Sequence, residues 1–592
     1  MPGRNAPGGT LVREAQSHGL HEGTTDMDDE PRPAPGTTLV SRRRLLAAGA
    51  LAGTAVVLAA CEAGLPVGTP ASVGTHLPSG APNPGSGAAT SPGASLAVSP
   101  DPSAGSSPAP TPSGPPPSLP PDLDTSMKAE NALKGDPRWD QAQRGGQGQA
   151  YLGAASVGPG EPRSLRARGS GTVSVEWYRM GWYGGAGARL LRTDRGVKLR
   201  SQPRPTTDPT TGLVEAGWDP VLQTTAPIGV NSGMLLAVLR DANGTAVANA
   251  PVVLRPDPTD ARRAPILFVS AASTWQAYNQ WGGTDLYGNY GHHPISVTQN
   301  HRAAQVSFDR PYYLDGGAGY LRRWELQFIR WAERSGRDIE YIADIDLERN
   351  PAFVTGRRLI IFCGHPEYWS RPMRTTIEAA VAQGTNVAFI TGNEVYWQTR
   401  LEDGPAGPAT RITSYKSRTA DPITLTHPEL TTCRWREAPV NDPEAPLVGQ
   451  MYGAIVNRVA DWIVTGSSHW LYEGTSLRDG EAIVNLVGQE FDTFFPDLAQ
   501  PGTVLLANSP VDAKLRDPLD PGAAMNVHTH NATMYTAQSG ATVFAAGTFQ
   551  WSWALDDYGR RSYLGVRTPV DDRVARMTRN LFDRLGDGPL AP

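Results

Sequence analysis

Two short polar loops of similar composition are the part of this sequence best equipped for chemistry. Residues 364–369 read Gly-His-Pro-Glu-Tyr-Trp, and residues 392–397 read Gly-Asn-Glu-Val-Tyr-Trp. In the first loop, His365 and Glu367 lie two residues apart around a proline, in an extended turn where both side chains could face one space. Such a pair suits a base beside a metal ligand, two metal ligands, or a hydrogen-bonded pair that only fixes the loop. The spacing leaves all three interpretations open.

The second loop adds an amide and a carboxyl group, and each loop ends in a Tyr-Trp pair. These residues supply the candidates for a substrate crevice: Trp369, Glu394, Tyr396 and Trp397. Packing is the commoner role of such aromatic residues. Cys363, which precedes the first loop, is interpreted as a core residue, because no glycine before it opens a nucleophile elbow.

The sequence around these loops predicts strands that alternate with helices. Apolar runs typical of strands buried on both faces occur at 266–270, 358–362 and 387–390. Helices are predicted over about 320–335 and from Ser370 to Gly384. This alternation indicates a parallel-sheet α/β domain over 263–588, resembling the glutamine-amidotransferase-like fold, with β-rich additions after Asp421. Ligands bind at the carboxyl ends of such strands, where both loops fall.

Residues 149–256 have a different character. Short β-rich runs recur with turn signals between them and without a convincing helix, as at 173–179. Regular short strands of this kind predict an immunoglobulin-like β-sandwich with a structural role. The predicted fold class is therefore α/β, with an N-terminal β-sandwich.

Residues 1–61 have the layout of an export signal. Arg42 and Arg43 resemble the paired arginines of a twin-arginine signal, and they precede an apolar stretch that is short of the roughly 20 residues of a membrane-spanning helix. Leu-Ala-Ala before Cys61 resembles a lipobox, in which the cysteine is acylated and becomes the mature N-terminus. We expect an exported protein, held by lipid at the outer face of the cell membrane. Because the leading region is long, Met27 is an alternative start to Met1.

Composition accounts for the segment that follows and excludes one class of partner. Residues 62–126 are mostly Pro, Ser, Gly, Ala and Thr, which cannot bury enough apolar surface to fold, so we predict a disordered linker. The chain has a formal net charge of -5 and no basic block. Nucleic-acid binding is therefore not expected.

Several strings of uncommon residues resemble the C-terminal domain family of the N,N-dimethylformamidase large (beta) subunit. Besides the two loops, they are residues 178–185, 274–279, 306–312 and 549–553. The resemblance extends over about 150–585 and implies an iron-dependent hydrolase of a linear amide. The formamidase works with a small subunit and is cytoplasmic. This chain does not contain that subunit, and its own oligomeric state stays open.

The resemblance also implies a set of site residues. A ferric ion would be held by Tyr278, Tyr312 and Glu367, with Tyr313 or Tyr287 as alternatives for the second tyrosine. The implied catalytic residues are His365, Asn393 and Glu490. Two phenolates and a carboxylate carry three negative charges, which would offset Fe³⁺.

A second hypothesis keeps the fold without catalysis. On this interpretation the chain is a surface-anchored binding protein, and an aromatic crevice holds a glycan or another ligand. The residues concerned are Trp369, Tyr396, Trp397, Trp551 and Trp553.

Overall fold

The computed structural model describes residues 126–140, 149–260, 262–295, 302–514, 516–517, 520–524 and 527–587. The predicted signal, with Arg42, Arg43 and Cys61, lies outside these residues, as does the predicted linker except for Ser126. The Ser126 hydroxyl accepts a hydrogen bond from the backbone N–H of Ala129 and so caps helix α1 (Met127–Asn131). Within the described ranges, the helices lack the length and apolar character needed to cross a bilayer.

The first part of the fold is built on two larger β-sheets that share a core, beside a separate two-stranded sheet. Its strands are β1 (Gln149–Tyr151), β2 (Ser156–Val157), β3 (Pro162–Arg168), β4 (Thr172–Met180), β5 (Ala188–Lys198), β6 (Thr206–Thr207), β7 (Val214–Glu215), β8 (Pro220–Thr225), β9 (Gly233–Arg240) and β10 (Ala246–Leu254). One sheet has the order β1-β3-β8, and the other has the order β2-β10-β9-β4-β5. Alternate residues of facing strands, such as Leu165, Val175 and Leu239, form one buried cluster. These strands thus form two packed sheets, and the predicted β-rich content is confirmed.

The second part alternates strands and helices up to residue 389 and is then mainly β-structure. Its helices are α2 (Ala272–Ala277), α3 (Leu326–Arg334), α4 (Asp346–Arg349), α5 (Arg371–Ala382), α6 (Ala445–Val448) and α7 (Asp572–Leu581). Its strands are β11 (Ile266–Ser270), β12 (Gln305–Ser307), β13 (Ile339–Ala343), β14 (Leu359–Phe362), β15 (Tyr368–Ser370), β16 (Asn386–Phe389), β17 (Trp397–Gly404), β18 (Gly407–Thr413), β19 (Met451–Ile455), β20 (Ala460–Ile463), β21 (Ala482–Val487), β22 (Glu490–Thr493), β23 (Val504–Pro510), β24 (Arg516–Asp517), β25 (Asp520–Ala524), β26 (Thr529–Thr536), β27 (Thr542–Ala545), β28 (Ser562–Tyr563) and β29 (Val566–Arg567).

The central sheet has the order β13-β11-β14-β16-β27-β26-β23. Its first five strands are parallel, and β26 and β23 continue it in antiparallel fashion. Part of the predicted β-rich addition thus extends the main sheet. The α/β class is confirmed, whereas the likenesses to immunoglobulin domains and to glutamine amidotransferases stay predictions.

Helices cover both faces of the parallel strands. Phe268 of β11 stacks on Phe328 of α3, with ring centroids 5.3 Å apart. Its neighbours Leu267 and Val269 point to the other face and join the cluster that contains Met373 and Ile377 of α5. Because strand side chains alternate between faces, burial on both sides explains the continuous apolar run that the sequence shows at β11.

An ion pair joins the two parts of the fold. Arg179 of β4 lies 2.9 Å from Glu333 of α3, and both side chains are fully buried. Tyr341 of β13 donates a further hydrogen bond of 2.9 Å to Glu333. The sandwich therefore packs on the α/β part through a satisfied polar contact.

Candidate active site

The candidate site lies at the carboxyl ends of three neighbouring parallel strands. Strand β11 leads into α2, whose C-terminal cap is Tyr278. Strand β14 leads into the loop of His365 and Glu367, and β16 leads into the loop of Asn393. The sheet thereby brings together polar residues that are distant in sequence.

Glu367 is the centre of the site. Its Oε2 accepts a hydrogen bond of 3.0 Å from the Tyr278 hydroxyl, and Tyr287 donates to Oε1 and Oε2 at 2.7 and 2.9 Å. The indole N–H of Trp397 donates to Oε1 at 2.9 Å. The carboxyl group of a buried residue is thus held by two phenols and one indole.

The second tyrosine at Glu367 is Tyr287, in the position for which the family resemblance favoured Tyr312 and left Tyr287 as an alternative. The Oδ1 of Asp285 accepts a hydrogen bond from the backbone N–H of Tyr287, which stabilises the turn that carries this tyrosine. The Tyr287 ring then stacks on Tyr278, with centroids 4.3 Å apart. Tyr312 instead packs edge-on against the rings of Trp275 and Tyr320, and Tyr313, the other alternative, is exposed.

The predicted catalytic residues form a chain that ends at Glu367. Nε2 of His365 lies 3.2 Å from Oε2 of Glu367 and 3.6 Å from Oε2 of Glu490. The side-chain amide of Asn393 donates a hydrogen bond to the same oxygen of Glu490. The structure therefore brings His365, Asn393 and Glu490 together beside the Tyr278–Glu367 contact.

Backbone hydrogen bonds fix the two loops against each other. The N–H of Val395 donates to the carbonyl of Pro366, and the N–H groups of Tyr396 and Trp397 both donate to the carbonyl of Glu367, at 3.0, 3.0 and 2.9 Å. Since these bonds do not depend on side-chain rotamers, the positions of the two loops are coupled. The similarity of the two loops in sequence reflects two adjacent strands that end at one crevice.

Burial sets the protonation state of the cluster. It raises the pKa of both Tyr278 and Tyr287 well above the usual value, and the carboxylate of Glu367 adds to the effect. Burial also raises the pKa of Glu367 to about 7, although Lys416 and the hydrogen-bond donors oppose it. It lowers the pKa of His365 well below the usual value, with a further contribution from Lys416. The imidazole is therefore neutral at pH 7.

Two residues at the site were missed by the sequence analysis. The Lys416 ammonium nitrogen lies 3.2 Å from the centroid of the Tyr287 ring and 4.8 Å from that of Trp397. Lys416 lies in no sequence motif that could have indicated its place at the site. Asp492, in contrast, lies two residues after Glu490 on β22, and strand alternation would have placed both carboxyl groups on one face.

The proposed aromatic crevice is not favoured, because its tryptophans are part of the core. Trp369, Trp551 and Trp553 are 1%, 0% and 2% exposed. Trp369 packs against Phe362 and donates its indole N–H to the carbonyl of Pro366. Tyr396 packs on Trp397 and Tyr452, and Glu394 hydrogen-bonds to Asp492. Side chains buried in this way have no face free for stacking on a glycan.

The donors at Glu367 fit a hard metal ion. Two phenol oxygens from the connection between α2 and β12 lie 2.7 to 3.0 Å from the carboxylate oxygens of Glu367, which stands in a second loop. This is the spacing of oxygens that share one ion at about 2 Å. All are hard oxygen donors, which suit a trivalent cation. Among the described residues, no group of three His, Cys, Asp or Glu side chains is arranged to hold a metal, so a site here would depend on its tyrosines.

The family model described as "N,N-dimethylformamidase beta subunit-like, C-terminal" matches residues 174–563, more than half of the 592-residue chain. The chain belongs to this family. The match begins in β4 and ends at β28, so it spans most of the sandwich and the whole candidate site. No curated protein matches the chain in a sequence comparison.

Proposed function

We propose that this member of the N,N-dimethylformamidase beta subunit-like family is an iron-dependent hydrolase of a small linear amide. One observation carries the proposal: Tyr278 and Tyr287 converge on Glu367 directly beside His365. Tyr287 replaces Tyr312 in the proposed ligand set, because Tyr287 donates a hydrogen bond to Glu367, whereas Tyr312 packs on Trp275.

The ligand set is consistent with ferric iron on grounds of charge. Phenols with raised pKa values stay protonated unless a strong positive charge replaces their protons. Two phenolates and the Glu367 carboxylate would then balance three positive charges. When bound at these oxygens, iron would polarise an amide carbonyl and make a water more acidic.

The chain's own residues would move the protons. Neutral His365 can take a proton at Nε2 from the attacking water, whose oxygen forms the new bond to the carbonyl carbon. Glu490, 3.6 Å from the same nitrogen, would stabilise the imidazolium. The imidazolium would return the proton to the nitrogen of the leaving amine as the C–N bond breaks. The Asn393 amide orients Glu490, and its second N–H would donate to the developing oxyanion.

The test uses the purified full chain from cells supplied with iron. We expect one iron per chain, a tyrosinate-to-iron absorption band, and release of dimethylamine from N,N-dimethylformamide or a close analogue. A folded, colourless protein without iron would contradict the metal assignment. Stoichiometric iron without hydrolysis of a panel of linear amides would retain the site and refute the activity.

We further propose that the chain is exported and lipid-anchored at Cys61, on the basis of the sequence pattern around Arg42, Arg43 and Cys61. Partitioning of wild type and Cys61→Ser between membrane and soluble fractions tests this. The variant should leave the membrane fraction. Unchanged partitioning would rule out lipid at Cys61 as the anchor.

A further inference from the structure

The loop that carries Asn393 is held by strand β22 at two points. The side chain of Asn393 donates to Glu490, and its backbone N–H donates to Oδ1 of Asp492 at 2.8 Å. Glu490 and Asp492 lie two residues apart on β22, so both face the loop, while Phe491 between them is buried in the core. One strand therefore fixes both the position and the direction of Asn393.

The third contact comes from within the loop. The carboxyl group of Glu394 hydrogen-bonds to that of Asp492, and both residues are buried. From this geometry we propose that Glu394 and Asp492 are positioning residues: a hydrogen-bonded carboxyl pair that holds Asn393, and through it Glu490, in place for catalysis. The catalytic part of this proposal rests on the proposed function, because Asn393 and Glu490 act in that reaction.

Backbone strain explains why the loop needs such a support. Asn393 has a φ of +51° and Val395 a φ of +54°, on either side of Glu394. The left-handed region is unfavourable for a β-branched residue such as valine, and such strain persists only where surrounding contacts enforce it. The Asp492 hydrogen bonds to Asn393 and Glu394 act at this strained segment.

A pair of carboxyl groups in contact needs one proton, and here Glu394 holds it. Burial and the neighbouring Asp492 raise the pKa of Glu394 well above its usual value, with a smaller contribution from Glu444. Burial raises the pKa of Asp492 as well, against the opposing charge of Arg436. Protonated Glu394 therefore donates to Asp492, which stays an acceptor for Asn393. At high pH the pair would become two repelling carboxylates.

Substitutions of Glu394 in the full chain separate a positioning role from a merely structural one. Glu394→Gln keeps a donor to Asp492, whereas Glu394→Ala removes it. We expect the backbone amide of Asn393 to exchange hydrogen about tenfold faster in the Ala variant and near the wild-type rate in the Gln variant. With N,N-dimethylformamide, kcat should fall about tenfold in the Ala variant while KM stays similar, because the Asn393 oxyanion contact acts in the transition state.

The pH dependence provides the second readout. Amide exchange is base-catalysed in any protein, so the readout is the protection factor of Asn393, the ratio of the intrinsic to the observed exchange rate. Glu394→Gln cannot ionise, so this protection factor should stay constant at alkaline pH in the variant and should fall in wild type. The control is Glu348→Gln, since Glu348 is a partly buried carboxyl group that accepts a hydrogen bond of 2.5 Å from the Ser370 hydroxyl and lies outside this loop. The control should leave Asn393 exchange and the pH profile unchanged.

The outcomes are distinct. The proposal would be overturned if Asn393 in Glu394→Ala exchanged at the wild-type rate. It would also be overturned if Glu394→Gln lost as much protection at Asn393 and as much kcat as Glu394→Ala. If Glu394→Ala does not fold, the pH dependence of the Asn393 protection factor in Glu394→Gln decides whether Glu394 positions Asn393. If wild type hydrolyses no amide, the proposed function fails, whereas exchange at Asn393 still decides whether Glu394 and Asp492 position it.

Discussion

The hydroxyl of Tyr287 lies 2.7 Å from Oε1 and 2.9 Å from Oε2 of Glu367, although 80 residues separate the two in sequence. Tyr278, whose ring stacks on that of Tyr287, also donates to Oε2. The two phenols therefore present their oxygens to one carboxylate, and the ring stacking leaves each little freedom to turn away. Any ion bound at Glu367 would meet both tyrosines.

The ligand assignment is tested first by Tyr287→Phe. This change removes one oxygen donor but keeps the ring that stacks on Tyr278 and faces Lys416. We expect iron affinity to fall by at least about tenfold and the tyrosinate-to-iron band to weaken. The measurements are iron content after dialysis against a chelator and the visible spectrum.

Tyr312→Phe is the matched control, because Tyr312 is a partly buried tyrosine that packs on Trp275 and Tyr320 away from Glu367. It should keep both iron and the absorption band. Loss of iron in Tyr312→Phe, together with retention in Tyr287→Phe, would restore the assignment that the sequence favoured.

Glu367→Gln tests the carboxylate. The amide has nearly the same shape but removes one of the three negative charges that would balance Fe³⁺. It also places an N–H₂ group where Tyr287 or Trp397 now donates. We expect loss of iron and of hydrolysis together, with circular dichroism unchanged. Iron bound at wild-type stoichiometry would exclude Glu367 from the ligand set.

Much of the architecture could be predicted from the sequence, because local patterns encode it. The apolar run at β11 and the serine at position 370 that caps α5 are visible without coordinates. The loops of His365 and Asn393 follow strands, so their meeting at one edge of the sheet follows from topology alone.

The ligand choice and the supports of the site could not be predicted, because they depend on long-range contacts. Tyr287 and Tyr312 stand on either side of β12, and the turn that Asp285 stabilises at Tyr287 belongs to the long-range arrangement that brings Tyr287 to Glu367. Lys416 reaches the site from the end of the β17–β18 hairpin, which no motif connects to the site. Strands β26 and β23 extend the parallel sheet in antiparallel fashion, and local sequence patterns do not encode which strands pair.

The contact between the two parts of the fold predicts a large effect for Arg179→Met. Removal of the guanidinium leaves the carboxylate of Glu333 buried without its charge partner. Breaking a buried pair in this way costs about 3–5 kcal/mol of unfolding free energy. Urea denaturation measures this loss.

Arg192→Met is the control, because the Arg192–Asp194 pair is partly exposed, with side chains 41% and 26% accessible. This substitution should lower the unfolding free energy by less than about 1 kcal/mol. Equal effects would contradict the account.

The last prediction concerns stability against pH and a buried acid behind the His365 loop. Glu325 accepts hydrogen bonds from the Ser270 hydroxyl and the Ala271 N–H, and burial raises its pKa from 4.5 to about 8. Since the folded state keeps a proton that the unfolded state releases, stability should fall as pH rises from 4.5 to about 8 and stay lower above it. At about 1.4 kcal/mol per pKa unit, the loss is at most roughly 4 to 5 kcal/mol.

Glu325→Gln cannot ionise, so its unfolding free energy should lack this decline, and the difference from wild type should develop across the same pH window. Asp344→Asn provides the comparison, because burial raises the pKa of Asp344 to about 7. Its contribution to the decline should therefore be complete about one pH unit earlier than that of Glu325. Urea denaturation of the three proteins at a series of pH values measures both windows. Curves that run parallel for wild type and Glu325→Gln would show that Glu325 ionises as readily in the folded chain as in the unfolded one.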